Sequence, residues 1–151
     1  DFISFIMSGE GQAIVAQSCV PVDDGAPAFV SDLPAGRLVI AGSSSVAPVM
    51  EKLVEGYGAL NPEAVIELQV TDSTAGINAV LEGIADIAMA SRDLKESELE
   101  RLTPTAIAID GLAVIVHPEN PLDNISSADL RAVFTGETMI WQPLLPAALP
   151  E

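Results

Sequence analysis

At 151 residues and 49% hydrophobic, the chain is long enough and apolar enough for one compact domain, which excludes an intrinsically disordered class. Six basic residues against 22 acidic ones leave a net charge of −16, which argues against nucleic acid and against anionic membranes as partners. No apolar run reaches the roughly 18 residues of a membrane span. The acidity reads first as solubility. Aromatic residues are few, so the core must rest on Ile, Val, Leu and Ala. Cys19 is alone, so an internal disulfide is excluded; burial is its expected fate, with an intermolecular disulfide as the alternative. The opening Asp1-Phe-Ile-Ser-Phe-Ile-Met7 is too short, and lacks the basic flank, to be a signal peptide.

Taken in chain order, residues 1–20 read as two short helices, with Ser8 as the N-cap of the second. Residues 21–36, rich in proline, glycine and aspartate, read as a linker. Residues 37–117 read as a β/α lobe. Leu38-Val-Ile-Ala41 is a strand that stops at a glycine, and Ser43, Ser44 and Ser45 follow it. Val46, Val49, Met50, Leu53, Val54 and Tyr57 then mark the apolar stripe of an amphipathic helix. The pattern repeats. Val65–Val70 is a strand, Thr71-Asp-Ser-Thr-Ala-Gly-Ile77 a hydroxyl-rich turn, and Ile77, Val80, Leu81 and Ile84 a second helical stripe. A third unit has a strand over 86–90, then Ser91-Arg92-Asp93, then a charged helical segment over 95–102. An apolar strand ends at His117. Residues 118–151 open a further piece, with one helix over 127–134 capped by Ser126 and Asp129. The tail after Trp141 carries three prolines and cannot form a regular helix.

Three strand ends bearing hydroxyls suit one pocket at the carboxyl edge of a parallel sheet, where open α/β folds bind ligands. Loops of this kind aim backbone N–H groups and hydroxyls at one spot near positive helix ends, so an anion is held without a lysine. The fold class expected is therefore α/β, a three-layer lobe on a mostly parallel sheet.

Five motifs occur in one order: Gly42-Ser-Ser-Ser-Val46, Asp72-Ser-Thr-Ala-Gly-Ile77, Asp86-Ile-Ala-Met-Ala-Ser-Arg92, Ile109-Asp-Gly-Leu-Ala-Val-Ile-Val-His-Pro118, and Leu130-Arg-Ala-Val-Phe-Thr-Gly136 with Trp141. Together they resemble the phosphate-binding proteins of bacterial ABC importers, with the type II periplasmic-binding-protein fold, from about Arg37 to Trp141. In that family a helix pair similar to Phe2–Val15 closes the chain; here it comes first. The chain then reads as a circularly permuted module, or as a cut from a tandem array. The family's second lobe also continues past the tryptophan to an arginine and a Ser-Gly-Thr loop, and these are absent here. The second lobe is accordingly expected to be incomplete.

The resemblance implies a binding module for inorganic phosphate, exported to the periplasm or cell exterior, whose closed form a membrane permease receives. Ser44 and Ser45 are ligand candidates, with helix capping as the other reading; Ser43 is structural. Ser73 lies where the family places a ligand hydroxyl, and Thr74 is secondary to it. Asp72 departs from the family's usual glycine. It either caps the following helix, the preferred reading, or accepts a proton from HPO₄²⁻ and so rejects sulfate. Arg92, the sole cation of the three loops, forks onto the oxyanion or pairs with Asp72, Asp93 or Glu96. Ser91 donates a hydroxyl or closes the turn. Asp110-Gly111 marks the crossing between lobes, and Trp141 belongs to a core or an interface.

An enzyme is not expected. His117 has no second histidine with which to build a metal site, no Gly-x-Ser-x-Gly elbow exists, and the serine loop lacks the P-loop lysine. No cofactor is implied. A half-site module that self-associates, exchanging residues 1–20 or the tail, is the alternative function, and molybdate or sulfate are the alternative anions.

Overall fold

The structure is a computed structural model that describes residues 1–120, 122–141 and 144. The chain divides into two compact units, Asp1–Gly111 and a second that begins at Leu112. The break falls after Gly111.

The first unit is built on a three-stranded parallel sheet of β2 (Gly36–Ser43), β3 (Ala64–Thr71) and β4 (Ile87–Met89), in the order β3-β2-β4. The central strand is buried on both faces, as its continuous apolar run requires. Ile40 faces α3 (Ala47–Leu60), whose stripe of Val49, Met50, Leu53 and Tyr57 is buried as its periodicity predicts. Val39 and Ala41 face α4 (Ser73–Leu81) on the other side. The first crossover runs from β2 to β3 and the second from β3 back across β2 to β4, and two right-handed crossovers in opposite directions put their helices on opposite faces. The result is three layers, the α/β architecture expected.

The helix pair completes the first layer. In α1 (Phe2–Ile6) and α2 (Gly9–Val15), Phe2, Phe5, Ile6 and Val15 are buried against α3. Ser8 caps α2, accepting the Gly11 N–H at 3.2 Å. Residues 21–36 are less free than a linker. The Gly9 N–H reaches the Pro27 carbonyl at 2.8 Å, and the Glu10 carboxylate accepts the Phe29 N–H at 2.7 Å, which holds Glu10 below its ordinary acidity range. Phe29 then packs edge-on against Phe5, with ring centroids 5.3 Å apart. Buried Gln12 joins three segments: its amide donates to the Ile6 and Ile107 carbonyls at 2.9 and 3.1 Å and accepts the Val22 N–H at 2.9 Å. It thereby anchors the small antiparallel ladder of β1 (Val20–Pro21) and β5 (Ala108–Ile109). Cys19 is half-buried beside the core.

Several expectations are corrected. The second apolar stripe stops short of Ile84, which is exposed, because Gly83 takes a positive φ of 73° and ends α4. The Gly83 N–H returns to Val80 and the Ile84 N–H to Ala79, the paired bonds of a Schellman ending. The charged segment over 95–102 contains one helical turn, α5 (Glu96–Leu99); Pro104 disfavours helical geometry at the residue before it. The apolar strand expected to reach His117 stops at Ile109. Leu112 and Ile115 are 97% and 90% exposed, and among the described residues no strand pairs with this stretch. An extended run with no ladder partner has nowhere to place its N–H and C=O groups except water.

In the second unit α6 (Ser127–Phe134) forms as expected, with the Asp129 N–H donating to Ser126 Oγ at 3.1 Å. Trp141 is 42% exposed beside Val133 and Met139, not part of a core. The prolines of the tail lie outside the described residues.

Candidate anion-binding site

Register brings the three hydroxyl-bearing loops level. Ser43 at the end of β2 is opposite Thr71 of β3, and Gly42 is opposite Met89 of β4. All three chains therefore turn out of the sheet at its carboxyl edge. Two glycines permit the convergence. Gly42 has φ 138°, and a Cβ there would stand 2.2 Å from the Met89 carbonyl oxygen. A Cβ on Gly76 would stand 2.4 Å from the Ala41 carbonyl oxygen and 2.5 Å from Gly42 Cα. The first turn of α4 is thus pressed onto the last residues of β2, which seats Ser73 next to Ser91.

The hydroxyls form a chain. Ser43 Oγ, buried, donates to Ser91 Oγ at 3.0 Å. Ser91 Oγ lies 3.4 Å from Ser73 Oγ, and the Ser91 N–H donates to Ser73 Oγ at 3.1 Å. Ser43 spends its proton on Ser91 and the Ser73–Ser91 contact takes one more, so one hydroxyl proton of the Ser73–Ser91 pair is left for a ligand. Ser44 and Ser45 stand exposed at the start of α3. The N-cap position of α3 is Val46, with no side-chain cap, so neither serine is spent on capping that helix. The Ser44 N–H is used within the edge, donating to the Thr71 carbonyl at 3.1 Å.

Asp72 caps α4: its Oδ1 accepts the Thr74 and Ala75 N–H groups at 2.8 and 3.0 Å. Arg92 is paired, but with none of the three carboxylates the sequence offered. Both terminal nitrogens reach Glu98, at 2.9 Å to each carboxylate oxygen. One of them also donates to the Asp93 carbonyl at 2.9 Å, and the other reaches Thr74 Oγ1 at 3.4 Å. Glu98 is buried and accepts the Lys95 N–H as well, at 2.8 Å. The Arg92 hydrogen bonds, then that N–H, hold the Glu98 carboxyl down at about 2, while Glu98 raises Arg92 above its ordinary value.

Ser73, Ser91, Thr74, Asp72 and Arg92 are thus brought together at one edge, with Ser44 and Ser45 at the head of α3. The structure adds Ser43 as the inner hydroxyl and Glu98 as the partner of Arg92. Glu98 did have a signal: a glutamate three residues after a helix start is the reaching half of a capping box. A cavity of about 270 Å³ lies at the opposite edge of the sheet, lined by Phe2, Leu38, Tyr57, Ile66 and Ile87, and none of the candidate ligands borders it.

A family model described as a PBP superfamily domain matches residues 28–150. A phosphate-binding protein PstS 2 of Streptococcus agalactiae is 42% identical over 146 residues, 95% of this chain and 50% of its own. The chain spans about half the length of the curated relatives it matches. Among solved structures, a phosphate ABC transporter phosphate-binding protein from Streptococcus pneumoniae superposes with a TM-score of 0.85 at 41% identity, covering 94% of this chain and 56% of that one. A substrate-binding protein of a phosphate ABC transporter from Clostridium perfringens, with bound phosphate, gives a TM-score of 0.65 at 38% identity, covering 72% of this chain and 45% of that one. Motifs, layers and match agree, and the chain belongs to the PBP superfamily.

Proposed function

We propose that this chain supplies one lobe's share of an inorganic phosphate site in the substrate-binding component of an ABC importer. The observation that carries the reading is the hydroxyl chain Ser43–Ser91–Ser73, which links three strand ends at the carboxyl edge of a parallel sheet. The Ser73–Ser91 pair offers its remaining hydroxyl proton, Ser44 and Ser45 add hydroxyls at the uncapped head of α3, and Thr74 borders the group. Asp72 spends Oδ1 on the helix cap, which leaves Oδ2 to accept the proton that HPO₄²⁻ carries and sulfate lacks. The relatives' names, phosphate-binding proteins of ABC transporters, support the same ligand, a permease as partner, an exported location and a carrier role without catalysis.

The test is a titration of ¹⁵N-labelled chain with phosphate, with sulfate as control, followed at the backbone amides. Shifts confined to residues 43–46, 72–75 and 91–92 with phosphate alone are expected, weakened about tenfold or more in Ser73→Ala, the range for a hydrogen bond to a charged group. No shift up to tens of millimolar phosphate would overturn the reading.

One observation favours association as a second property. The apolar run Leu112, Val114, Ile115 and Val116 is 97, 46, 90 and 46% exposed. Such a run calls for a cover, and a second copy would provide one. Sedimentation velocity distinguishes the cases: a monomer at high concentration ends the self-association reading.

A further inference from the structure

The loop cation is usually taken as the anion's partner, yet the geometry of Arg92 leaves it little to offer. A guanidinium has five N–H donors. Four are engaged here: two on the Glu98 carboxylate, one on the Asp93 carbonyl and one on Thr74 Oγ1. The fork that would grip an oxyanion already grips a carboxylate of the same shape. For an anion to take over the fork, Glu98 would have to give it up, and Glu98 is a buried charge whose other described partner is the Lys95 N–H. Stranding a buried carboxylate costs far more than one exposed contact returns.

What the pair does hold is the corner of the hydroxyl chain. Arg92 follows Ser91, whose N–H and Oγ both bond to Ser73 or Ser43. Thr74, which the guanidinium touches, follows Ser73. Glu98 belongs to α5. The Arg92–Glu98 pair therefore clips three segments together: the exit of β4, the first turn of α4 and α5.

We infer that Arg92 is a positioning residue, locked by Glu98 to fix Ser91 and Ser73 for the anion, and that every donor this lobe supplies to the anion is neutral. The inference deepens the proposed phosphate site and rests on it for the identity of the anion, but the clip itself is measurable without any ligand.

The experiment is amide hydrogen exchange at Ser91 and Thr74 in the wild-type chain, Arg92→Ala, Arg92→Lys, Glu98→Gln and the double variant Arg92→Ala/Glu98→Gln, each checked for native fold by circular dichroism. The clip predicts roughly tenfold faster exchange at both amides in every single variant, and no further gain in the double variant, because the two residues act as one unit. Lysine restores the charge but not the fork, so Arg92→Lys behaves like Arg92→Ala. Unchanged exchange in Glu98→Gln, or additive effects in the double variant, would overturn the clip. In the phosphate titration a direct ligand role predicts tighter binding in Glu98→Gln, where the fork is partly released, and full binding in Arg92→Lys; either result would also overturn the inference. Failure of the phosphate reading shows separately, as the absence of phosphate-induced shifts in wild type while the exchange pattern stands.

Discussion

Replacing Gly76 with alanine puts two effects of opposite sign in competition. Gly76 sits inside α4, where glycine costs about 1 kcal/mol relative to alanine, so propensity alone predicts stabilisation. The tertiary setting predicts the reverse. The new methyl would stand 2.4 Å from the Ala41 carbonyl oxygen and 2.5 Å from Gly42 Cα, where ordinary contact begins at 3.4 Å. Both neighbours are backbone of the buried central strand, so neither can rotate away, and α4 must retreat by about 1 Å. Overpacking of this kind costs about 1–3 kcal/mol, and a backbone collision belongs at the upper end. After the propensity gain, about 2 kcal/mol of net destabilisation remains, or a fall in Tm of about 8 °C for a unit of this size. Gly58 is the internal control. It also lies inside a helix, α3, but nothing stands within 4 Å of its Cβ position, so Gly58→Ala should gain up to about 1 kcal/mol. Thermal melts of the two variants beside wild type make the assay. A Gly76→Ala chain that melts with or above wild type would refute the claim that α4 is pressed onto β2, and with it the account of how Ser73 reaches Ser91.

Asp72→Ala should cost about 1 kcal/mol by uncapping α4, whereas Asp72→Asn should keep most of the cap and narrow the preference for phosphate over sulfate; denaturant melts and paired titrations check the two arms. Gln12→Leu should strand the Ile6 and Ile107 carbonyls and the Val22 N–H, at about 1–3 kcal/mol for each group that stays buried, read as a lower urea midpoint. Glu98 supplies a pH test. Its folded-state acidity is pulled down to about 2, so its contribution is complete above the ordinary carboxylate range and is lost as pH falls through about 2. The Tm difference between wild type and Glu98→Gln should therefore be level from pH 5 to 7 and shrink toward pH 2; a constant difference down to pH 2 would contradict the pairing with Arg92.

Much of the first unit is legible because each element carries its own signal. The stripe of α3 repeats for four turns, so its buried face could be named residue by residue, and Ser8, Asp72 and Ser126 announce helix starts by side-chain chemistry that acts within three residues. Legibility fails where a long-range contact decides. The stretch 21–36 has the composition of a linker, yet one aromatic, Phe29, docks on Phe5 and Tyr57 and ties it down. Periodicity carries Ile84 into the α4 stripe, but a left-handed Gly83 ends the helix first. The apolar run toward His117 encodes a strand, and a strand exists only with a neighbour to pair with.

The site follows the same rule, and its least legible part bears on how so acidic a chain would hold an anion. The hydroxyls were readable because strand, hydroxyl-bearing loop and helix recur three times in order. The partner of Arg92 was not, because Glu98 lies six residues on, across a loop and on the buried side of a single turn, while Asp93 and Glu96 were nearer in sequence. Once that pair is closed, it carries no net charge to the anion. A chain with a net charge of −16 then has two ways to favour phosphate: a long-range positive field, which it does not have, or oriented dipoles at contact. Repulsion from the distant acids is screened over about 8 Å at physiological salt, whereas a hydroxyl at hydrogen-bond distance acts unscreened. On this reading salt should change how fast phosphate arrives and leave its affinity nearly untouched. On the same reading the hydroxyl chain, held in register by Gly42, Gly76 and the proposed Arg92–Glu98 clip, would take the place of a cation.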